Sequence, residues 1–409
     1  MIWSSIETIS QSDDIRFFKV YNGRWGNCLL LFFDILPYGH AIFFVSLQTA
    51  LMAGVFTEYL KDKKASAAVL RNAKVSVIIP IHNESKRMEH LLKTLLEQDY
   101  PAQIIFVDDR SNDESLVLLS QFQRDAKTRG IDCRVISLKE NPGPNHKQFA
   151  LSRGISEASG DFFLFTDGDC EVPPNWVSSM AKRIQAEKTG AVIGPVFKKK
   201  EGRGFFCLYQ CYDHAVRYNY LAGAVGLGSA GGGFGNNLII SREALVSAGG
   251  YDAVPPSPTE DAALISQIRK KGEYKVRAIT LDDAAVMTSS EKSWGAFVKQ
   301  TLRWNNGGLF SPEAITRFNY NLLMLVISAG ILVIPLLAFF PELWPMTAAV
   351  YIVMIENTIA AFGLFRCKLP AGGLPVKFGY LLAFLFTPVY FTLMTLMGYA
   401  GIKPKWKTN

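Results

Sequence analysis

Residues 161–169 read DFFLFTDGD: four apolar side chains, a threonine, then two aspartates held apart by a glycine. A short aromatic and branched run bounded by turn formers reads as a strand, so this strand ends on a pair of carboxylates. The same design recurs upstream. VSVIIPI (75–81) is followed by His82, Asn83 and Glu84, and QIIFVDD (103–109) runs into Arg110, Ser111, Asn112 and Asp113. RVISL (134–138) leads to Asn141, Asn145, His146 and Lys147. Between strands, MEHLLKTLLEQ (88–98) places apolar residues at 88, 91, 92, 95 and 96, the helical period. Strands alternating with helices predict an α/β fold with a doubly wound parallel sheet, whose ligands lie beyond the carboxyl ends of the strands. Singly, Asp109 serves to begin a turn and Ser111 or Asp113 to cap a helix. Four strand exits loaded with acids, amides and a lysine exceed what folding requires.

Asp167-Gly168-Asp169 is the most informative of these exits. Two carboxylates around one glycine suit a hard divalent ion, Mg2+ or Mn2+, that also binds substrate phosphate oxygens. An isolated D-x-D is often only a polar turn; after FFLFT it is more.

The composition shows what surrounds this body. Of 409 residues, 49% are hydrophobic and 19% charged, with 28 phenylalanines and a mean hydropathy of +0.14. That is too apolar for an ordinary soluble enzyme and too charged for a chain lying wholly in a membrane, so a soluble part is joined to a membrane part. The net charge of +7 is dispersed. Its longer basic clusters, at 61–64, 198–203 and 403–407, suit an anionic lipid surface and argue against nucleic acid as a partner. Six cysteines without a C-x-x-C fit reduced thiols facing a cytosol.

Apolar stretches at 320–340, 343–365 and 378–399 each approach the roughly 20 residues that cross hydrocarbon. A fourth span is expected at 38–59, with the segment before it at the interface. KDKK at 61–64 places the following body in the cytoplasm, as do Arg366, Lys368 and Lys377 between later spans. Counting spans then puts the basic tail outside, against the same rule. The expected division is 1–64 for an interfacial segment and one span, 65–316 for a cytosolic body, and 317–409 for a C-terminal membrane region.

Six stretches in order, VSVIIPIHNES (75–85), IIFVDDRSND (104–113), GDFFLFTDGDCEVPPNW (160–176), GGGFGNNLIISREALVSAGGYD (231–252), Thr259-Glu260-Asp261 and QTLRW (300–304), resemble the inverting family 2 glycosyltransferases of GT-A fold. The likeness is greatest to the membrane-integrated branch with the Q-x-x-R-W signature. That branch includes ceramide glucosyltransferases, hyaluronan and cellulose synthases and bacterial glycolipid-forming enzymes. The resemblance implies a GT-A, Rossmann-like domain with amphipathic interface helices and about four transmembrane helices. It also implies roles. Pro80, Asn83, Glu84 and Asp109 match the nucleotide-sugar motifs, with Glu84 and Asp109 holding uracil or ribose. Lys147 falls near the diphosphate, and Asp167 and Asp169 match the metal motif, Asp169 the closer ligand. Asp261 matches the catalytic base beside Glu260, and Gln300, Arg303 and Trp304 match the residues beside diphosphate and acceptor. Two positions depart from the family pattern: Arg110 replaces a usual glycine, and Ser152 stands where an asparagine is common.

These residues suit inverting transfer, in which one carboxylate takes the proton of an attacking hydroxyl. Asp261 opens the helical pattern AALISQIRKKG, so a capping role competes with the catalytic one. Gln300, Arg303 and Trp304 fall at i, i+3 and i+4, one helical face. The arginine fork suits phosphate and the indole suits a sugar ring, while Trp294, Phe297 and Leu302 also suit a membrane surface. The aromatic stretch 205–221 is expected at the same interface, with His214 structural or acceptor-lining and not a metal ligand. GLGSAG (226–231) satisfies G-x-G-x-x-G, with Asp252 downstream, but no strand precedes it and a strand follows; a flexible loop at the acceptor entrance is expected instead. The reading is a plasma-membrane enzyme, facing the cytoplasm, that moves one sugar from a nucleotide diphosphate donor, a UDP-sugar, to a lipid acceptor. Its alternatives are a processive polysaccharide synthase of the same family and a non-catalytic membrane scaffold.

Overall fold

The computed structural model describes residues 24–402 apart from 187, 203, 230, 231, 258 and 312, with side chains from residue 35 onward. The basic tail at 403–407 and most of the expected interfacial segment lie outside the described residues.

Ten strands are described: β1 (Val75–Ile81), β2 (Gln103–Asp108), β3 (Cys133–Ser137), β4 (Phe162–Phe165), β5 (Cys170–Glu171), β6 (Thr189–Ile193), β7 (Val196–Lys198), β8 (Leu238–Ser241), β9 (Lys275–Ala278) and β10 (Val286–Thr288). In the body, the helices are α2 (Glu89–Leu95), α3 (Ser115–Thr128), α4 (His146–Glu157), α5 (Trp176–Ile184), α6 (Phe205–Gly226), α7 (Arg242–Ser247), α8 (Glu260–Lys271) and α9 (Trp294–Leu309). They are flanked by α1 (Arg24–Ser66), α10 (Ala314–Leu332), α11 (Trp344–Phe365) and α12 (Leu374–Tyr399).

Seven strands form one sheet in the order β3-β2-β1-β4-β8-β6-β9. All neighbours are parallel except β8, which runs antiparallel to both β4 and β6. The parallel sheet expected from the β/α alternation is thus mixed. The near-continuous apolar runs are those of a sheet covered on both faces. Val77 and Ile79 join Phe106, Leu164 and Trp176 on one face, while Ile78 joins Phe163 and Tyr218 on the other, following the two-residue period of a strand. A smaller sheet, β5-β10-β7, hangs beside the end of β4.

Four helices are long and apolar enough to cross a membrane: Ile35–Ser66, Ala314–Ala338, Pro341–Lys368 and Leu374–Tyr399. Each includes most or all of one expected stretch. They pack on α6 and α9 through Phe44, Tyr209, Phe297, Val350 and Tyr390, a third apolar core distinct from those of the sheet. Most side chains of α6 are buried, so the aromatic density of 205–221 serves packing between spans and body more than contact with lipid headgroups. On its α1 side the approach is close. A Cβ on Gly54, Gly223 or Gly226 would run into a facing backbone carbonyl, the small-residue contact typical of helices in a bilayer. Gly226 therefore belongs to a helix contact, and the loop expected there begins later, at Gly228, whose φ is +81°.

The expected boundary at 64 falls inside α1. Its last turns are embedded in the body: Glu58 accepts from the Ala278 amide at 3.1 Å, and Asp62 from the Thr280 and Leu281 amides at 2.7 and 2.8 Å. Asp62 also takes the Arg183 guanidinium at 2.5 Å. The cluster KDKK, expected as a lipid-facing patch, thus contributes a buried carboxylate to the protein interior.

Candidate active site

The turns after β1 and β2 are tied together. His82 Nδ1 lies 2.6 Å from the Asp109 carbonyl, Asn83 donates its amide N–H to Ser111 Oγ at 3.0 Å, and its side-chain oxygen accepts from the Asn112 amide at 2.9 Å. Asn83 and Arg110 both hold left-handed backbones, at φ 55° and 56°. Glycine enters that region freely and arginine at a cost, which is a physical reason for the glycine of the family pattern that the resemblance implies at position 110. Arg110 donates Nε to Asp109 Oδ1 at 2.9 Å. The cap position of α3 is Glu114, which makes no side-chain cap bond; Asp113, one residue before it, accepts from the Ser115 and Ser85 amides at 2.9 and 3.0 Å. Burial alone would raise its carboxyl, but hydrogen bonds from Ser115 and Ser85 hold it down at about 2.

Pro80, Glu84, Asp109, Lys147, Asp167 and Asp169 line one cavity of about 860 Å3. Glu260, Asp261, Gln300, Arg303 and Trp304 line the same cavity. Asn83 does not border it, and serves the turn behind it. Gly168 is required by packing: a Cβ there would sit 2.8 Å from Ile81 Cδ1 and 3.0 Å from Glu84 Cγ.

Three cations organise the carboxylates. Lys147 Nζ lies 2.7 Å from Asp167 Oδ1 and 3.5 Å from Glu260 Oε1. Burial would lower its ammonium, but Asp167 and Glu260 more than offset this and hold it above the ordinary lysine range. Arg87 bridges Glu84 at 2.5 Å and Asp169 at 3.3 Å. Lys198 is buried at the same end and donates to the Ser289 carbonyl at 2.9 Å; its pKa is lowered by burial, against Glu291 and Asp169. Arg87 and Lys198 escaped the sequence reading. Lys198 opens the basic cluster 198–203 assigned to the lipid surface, but β7 turns it inward, since alternate strand residues face opposite sides.

Asp261 sits in the first turn of α8, past the cap residue Thr259, which makes no side-chain cap bond. Its Oδ2 accepts from the Gly235 amide at 2.7 Å and its Oδ1 from the Ala262 amide at 2.8 Å. A Cβ at Gly235 or Gly233 would press on this carboxylate at 3.0–3.2 Å, so the glycine-rich stretch before β8 exists partly to let backbone approach Asp261. Neighbouring Glu260 has a raised pKa: burial lifts it, Lys147 opposes, and Asp261 adds to the rise.

On α9, Gln300, Arg303 and Trp304 face the cavity while Phe297, Thr301 and Leu302 are buried. Thr301 meets the Tyr390 hydroxyl, and Asn305 donates to the Met394 carbonyl at 3.1 Å, so α12 sets the rotation of α9. Burial lowers the Arg303 pKa while Glu260 and Asp261 oppose. The Trp304 ring stands edge-on to His214 with centroids 5.4 Å apart. Burial, reinforced by Lys198 and Arg217, holds His214 well below the ordinary histidine range and therefore neutral.

No cluster of three or more His, Cys, Asp or Glu side chains with metal-binding geometry occurs among the described residues. Asp167 and Asp169 nonetheless fit a hard divalent ion, because both carboxylates open onto the cavity and such ions commonly take one or two carboxylates and complete their shell with phosphate oxygens and water. The acid at 252 in the dinucleotide-like motif is engaged elsewhere, accepting from Ser152 at 2.5 Å.

Two family models match the chain. Glycosyl transferase family 2 matches residues 76–247, and glycosyl transferase family group 2 matches residues 162–400. The chain belongs to glycosyl transferase family group 2. Among curated relatives, the transferase is 25% identical over 299 residues to the probable glycosyltransferase YdaM of Bacillus subtilis, covering 66% of this chain and 67% of that one. It is 27% identical over 282 residues to the poly-beta-1,6-N-acetyl-D-glucosamine synthase of Staphylococcus aureus, covering 65% and 64%. It is 30% identical over 138 residues to the undecaprenyl-phosphate 4-deoxy-4-formamido-L-arabinose transferase of an Enterobacter species, covering 32% and 39%. The first of the curated relatives, the glycosyltransferase GlyG of Streptococcus pneumoniae, is 30% identical over 137 residues, which span 43% of its length. A solved mannosyltransferase of Pyrobaculum calidifontis, in complex with GDP-Man and Mn2+, aligns over 88% of the transferase and 97% of its own chain at 19% identity and TM-score 0.49.

Proposed function

We propose that this transferase moves a sugar from a nucleotide diphosphate sugar, a UDP-sugar, to a lipid hydroxyl with inversion, its body on the cytoplasmic side of the plasma membrane. One observation carries the reading. The cavity that holds Asp167, Asp169 and Asp261 is also lined by Leu47 and Leu51 of α1, Leu323 and Met324 of α10 and Phe391 of α12, all helices able to cross a membrane. A polar donor end and an apolar end built from spans suit a charged nucleotide sugar and a lipid.

The chemistry divides along the cavity. Asp261 takes the proton of the acceptor hydroxyl as its oxygen bonds to the anomeric carbon and the bond to the diphosphate oxygen breaks. The Gly235 amide fixes one Asp261 oxygen, which aims the carboxylate; such aim governs general-base catalysis as much as basicity does. Arg303, Arg87 and Lys198 face the leaving diphosphate, while Lys147 holds Asp167 and Glu260 in place. Trp304 offers its face to a sugar or acceptor. Asp167 and Asp169 would hold Mg2+ or Mn2+, which neutralises charge on the departing diphosphate.

The cytoplasmic assignment rests on Lys61, Lys63 and Lys64 at the end of α1, on Arg366 and Lys368 between α11 and α12, and on Lys377 near the start of α12. The relative named for undecaprenyl phosphate supports a lipid acceptor, and the one named as a polysaccharide synthase marks the processive alternative. The test is to incubate the purified full-length protein with native membrane lipids and a panel of nucleotide sugars, followed by mass spectrometry of the products. Lipid bearing one sugar supports the proposal. Long sugar chains would replace it with processive synthesis, and no glycosylated lipid would refute it.

A further inference from the structure

The membrane end of the cavity contains one built polar group that the donor chemistry does not use. Arg217 of α6 lines the cavity, donates Nε to Asp213 Oδ2 at 2.7 Å, and lies over the Phe391 ring with its guanidinium carbon 4.5 Å from the centroid. Asp213 is fully buried, and Arg217 is largely so. Taking two charges out of water into such a place carries a desolvation penalty, and a pair retained there asks for a purpose. One carboxylate uses one of five guanidinium donors. Tyr320 of α10 lines the same stretch, its hydroxyl donating to Asn305 Oδ1 at 2.9 Å and hydrogen-bonded to Arg217, and Leu221, Leu323 and Met324 continue it into the spans. His214, one turn before Arg217 on α6, packs against Trp304, so this polar spot sits between the Q-x-x-R-W residues and the apolar channel.

Resting on the function proposed above, we propose that Arg217, held by Asp213 and Tyr320, forms the acceptor headgroup site and selects an uncharged lipid bearing hydroxyl or amide groups over a lipid phosphate. Charge decides between these classes. Among the described residues the cavity is lined by seven carboxylates and six lysine or arginine side chains, and the positive charge of Arg217 is already answered by Asp213. No surplus positive charge is left for an acceptor phosphate in a low-dielectric channel. An ionised phosphate would also need no base to free its oxygen, whereas Asp261 stands at the junction of the two ends. The remaining guanidinium donors of Arg217 suit neutral oxygens, and a site built to hydrogen-bond a headgroup discriminates strongly against lipids lacking the matching groups.

The test uses the full-length protein in lipid nanodiscs with native membrane lipids, followed by kinetics on the purified acceptor. Mass spectrometry is expected to show a glycosylated lipid without phosphate in its acceptor part; a polyprenyl phosphate sugar as product overturns the proposal. In the Arg217→Gln/Asp213→Asn double variant, which removes both charges together, acceptor KM should rise at least tenfold while donor KM stays within twofold. Unchanged acceptor KM overturns the headgroup site. If the double variant does not fold, Tyr320→Phe decides: a rise of severalfold in acceptor KM alone is expected, and no change refutes it. Absence of any lipid product from the wild type would refute the function proposed above, whereas a lipid product with unaltered variant KM refutes only this site.

Discussion

Lys147 Nζ lies between Asp167 and Glu260, at 2.7 and 3.5 Å, and so joins the exit of β4 to the residue preceding Asp261. One cation thereby ties the carboxylate after β4 to the start of α8. Removing that cation would leave Glu260 buried without its counter-charge, and breaking a buried pair in this way costs on the order of 3 kcal/mol. Glu260 already has a raised pKa, chiefly from burial. A carboxyl whose folded pKa exceeds its unfolded one binds protons more readily in the folded state, so its contribution to stability falls as pH rises through the folded value. In Lys147→Met the loss in thermal stability should therefore be larger at pH 8 than at pH 5, where Glu260 can protonate. Thermal unfolding in detergent at the two values measures it. An equal loss at both would show that Glu260 does not depend on Lys147.

Asp261→Asn should lower transfer by about 10²- to 10⁴-fold, the usual range for a general base. The amide keeps one oxygen to accept from Gly235, so UDP affinity, measured by calorimetry, should stay within twofold. Turnover at the wild-type rate would remove the base role.

Chelation should stop transfer, and Mg2+ or Mn2+ should restore it. Asp169→Asn should raise the metal concentration needed for half-maximal activity at least tenfold, since a hard cation loses a charged oxygen. Full activity of the wild type in EDTA would detach Asp167 and Asp169 from metal binding.

Asp62→Ala should destabilise the body by roughly 3–5 kcal/mol, because it leaves buried Arg183 and two backbone amides short of an acceptor. Asp62→Asn should recover part of this. Because the Asp62 contacts hold the chain that leads into β10, where Thr288 donates to Asp169 at 3.3 Å, proteolysis between residues 279 and 285 should quicken in the alanine variant. Unchanged cleavage and unfolding would mean that α1 is not a structural part of the body.

Much of the fold was legible because it is written locally. The β1, β2 and β4 strands and the carboxylates that follow them are encoded within a few residues of one another, and a strand fixes where its own exit points. Arg110 takes the left-handed backbone that glycine prefers, whereas Gly168 is kept by close packing against Ile81 and Glu84. What misled was charge read as surface. Lys198 and Asp62 belong to short charged clusters, which usually mean solvent or headgroups, and each is turned inward by the pairing of an element far away in the chain.

The order of motifs by itself determined that this chain carries a sugar-transfer body between apolar spans, since strand period, glycine turns and the spacing of Gln300, Arg303 and Trp304 are properties of consecutive residues. Only the tertiary structure decided that α1 ends inside that body, that β8 reverses direction, and that Arg87, Lys198 and Arg217 join the cavity. The reason is that these facts depend on pairs separated by up to 220 positions, such as Glu58 and Ala278, whose meeting is fixed by packing of whole helices and strands and leaves no periodic trace in the sequence.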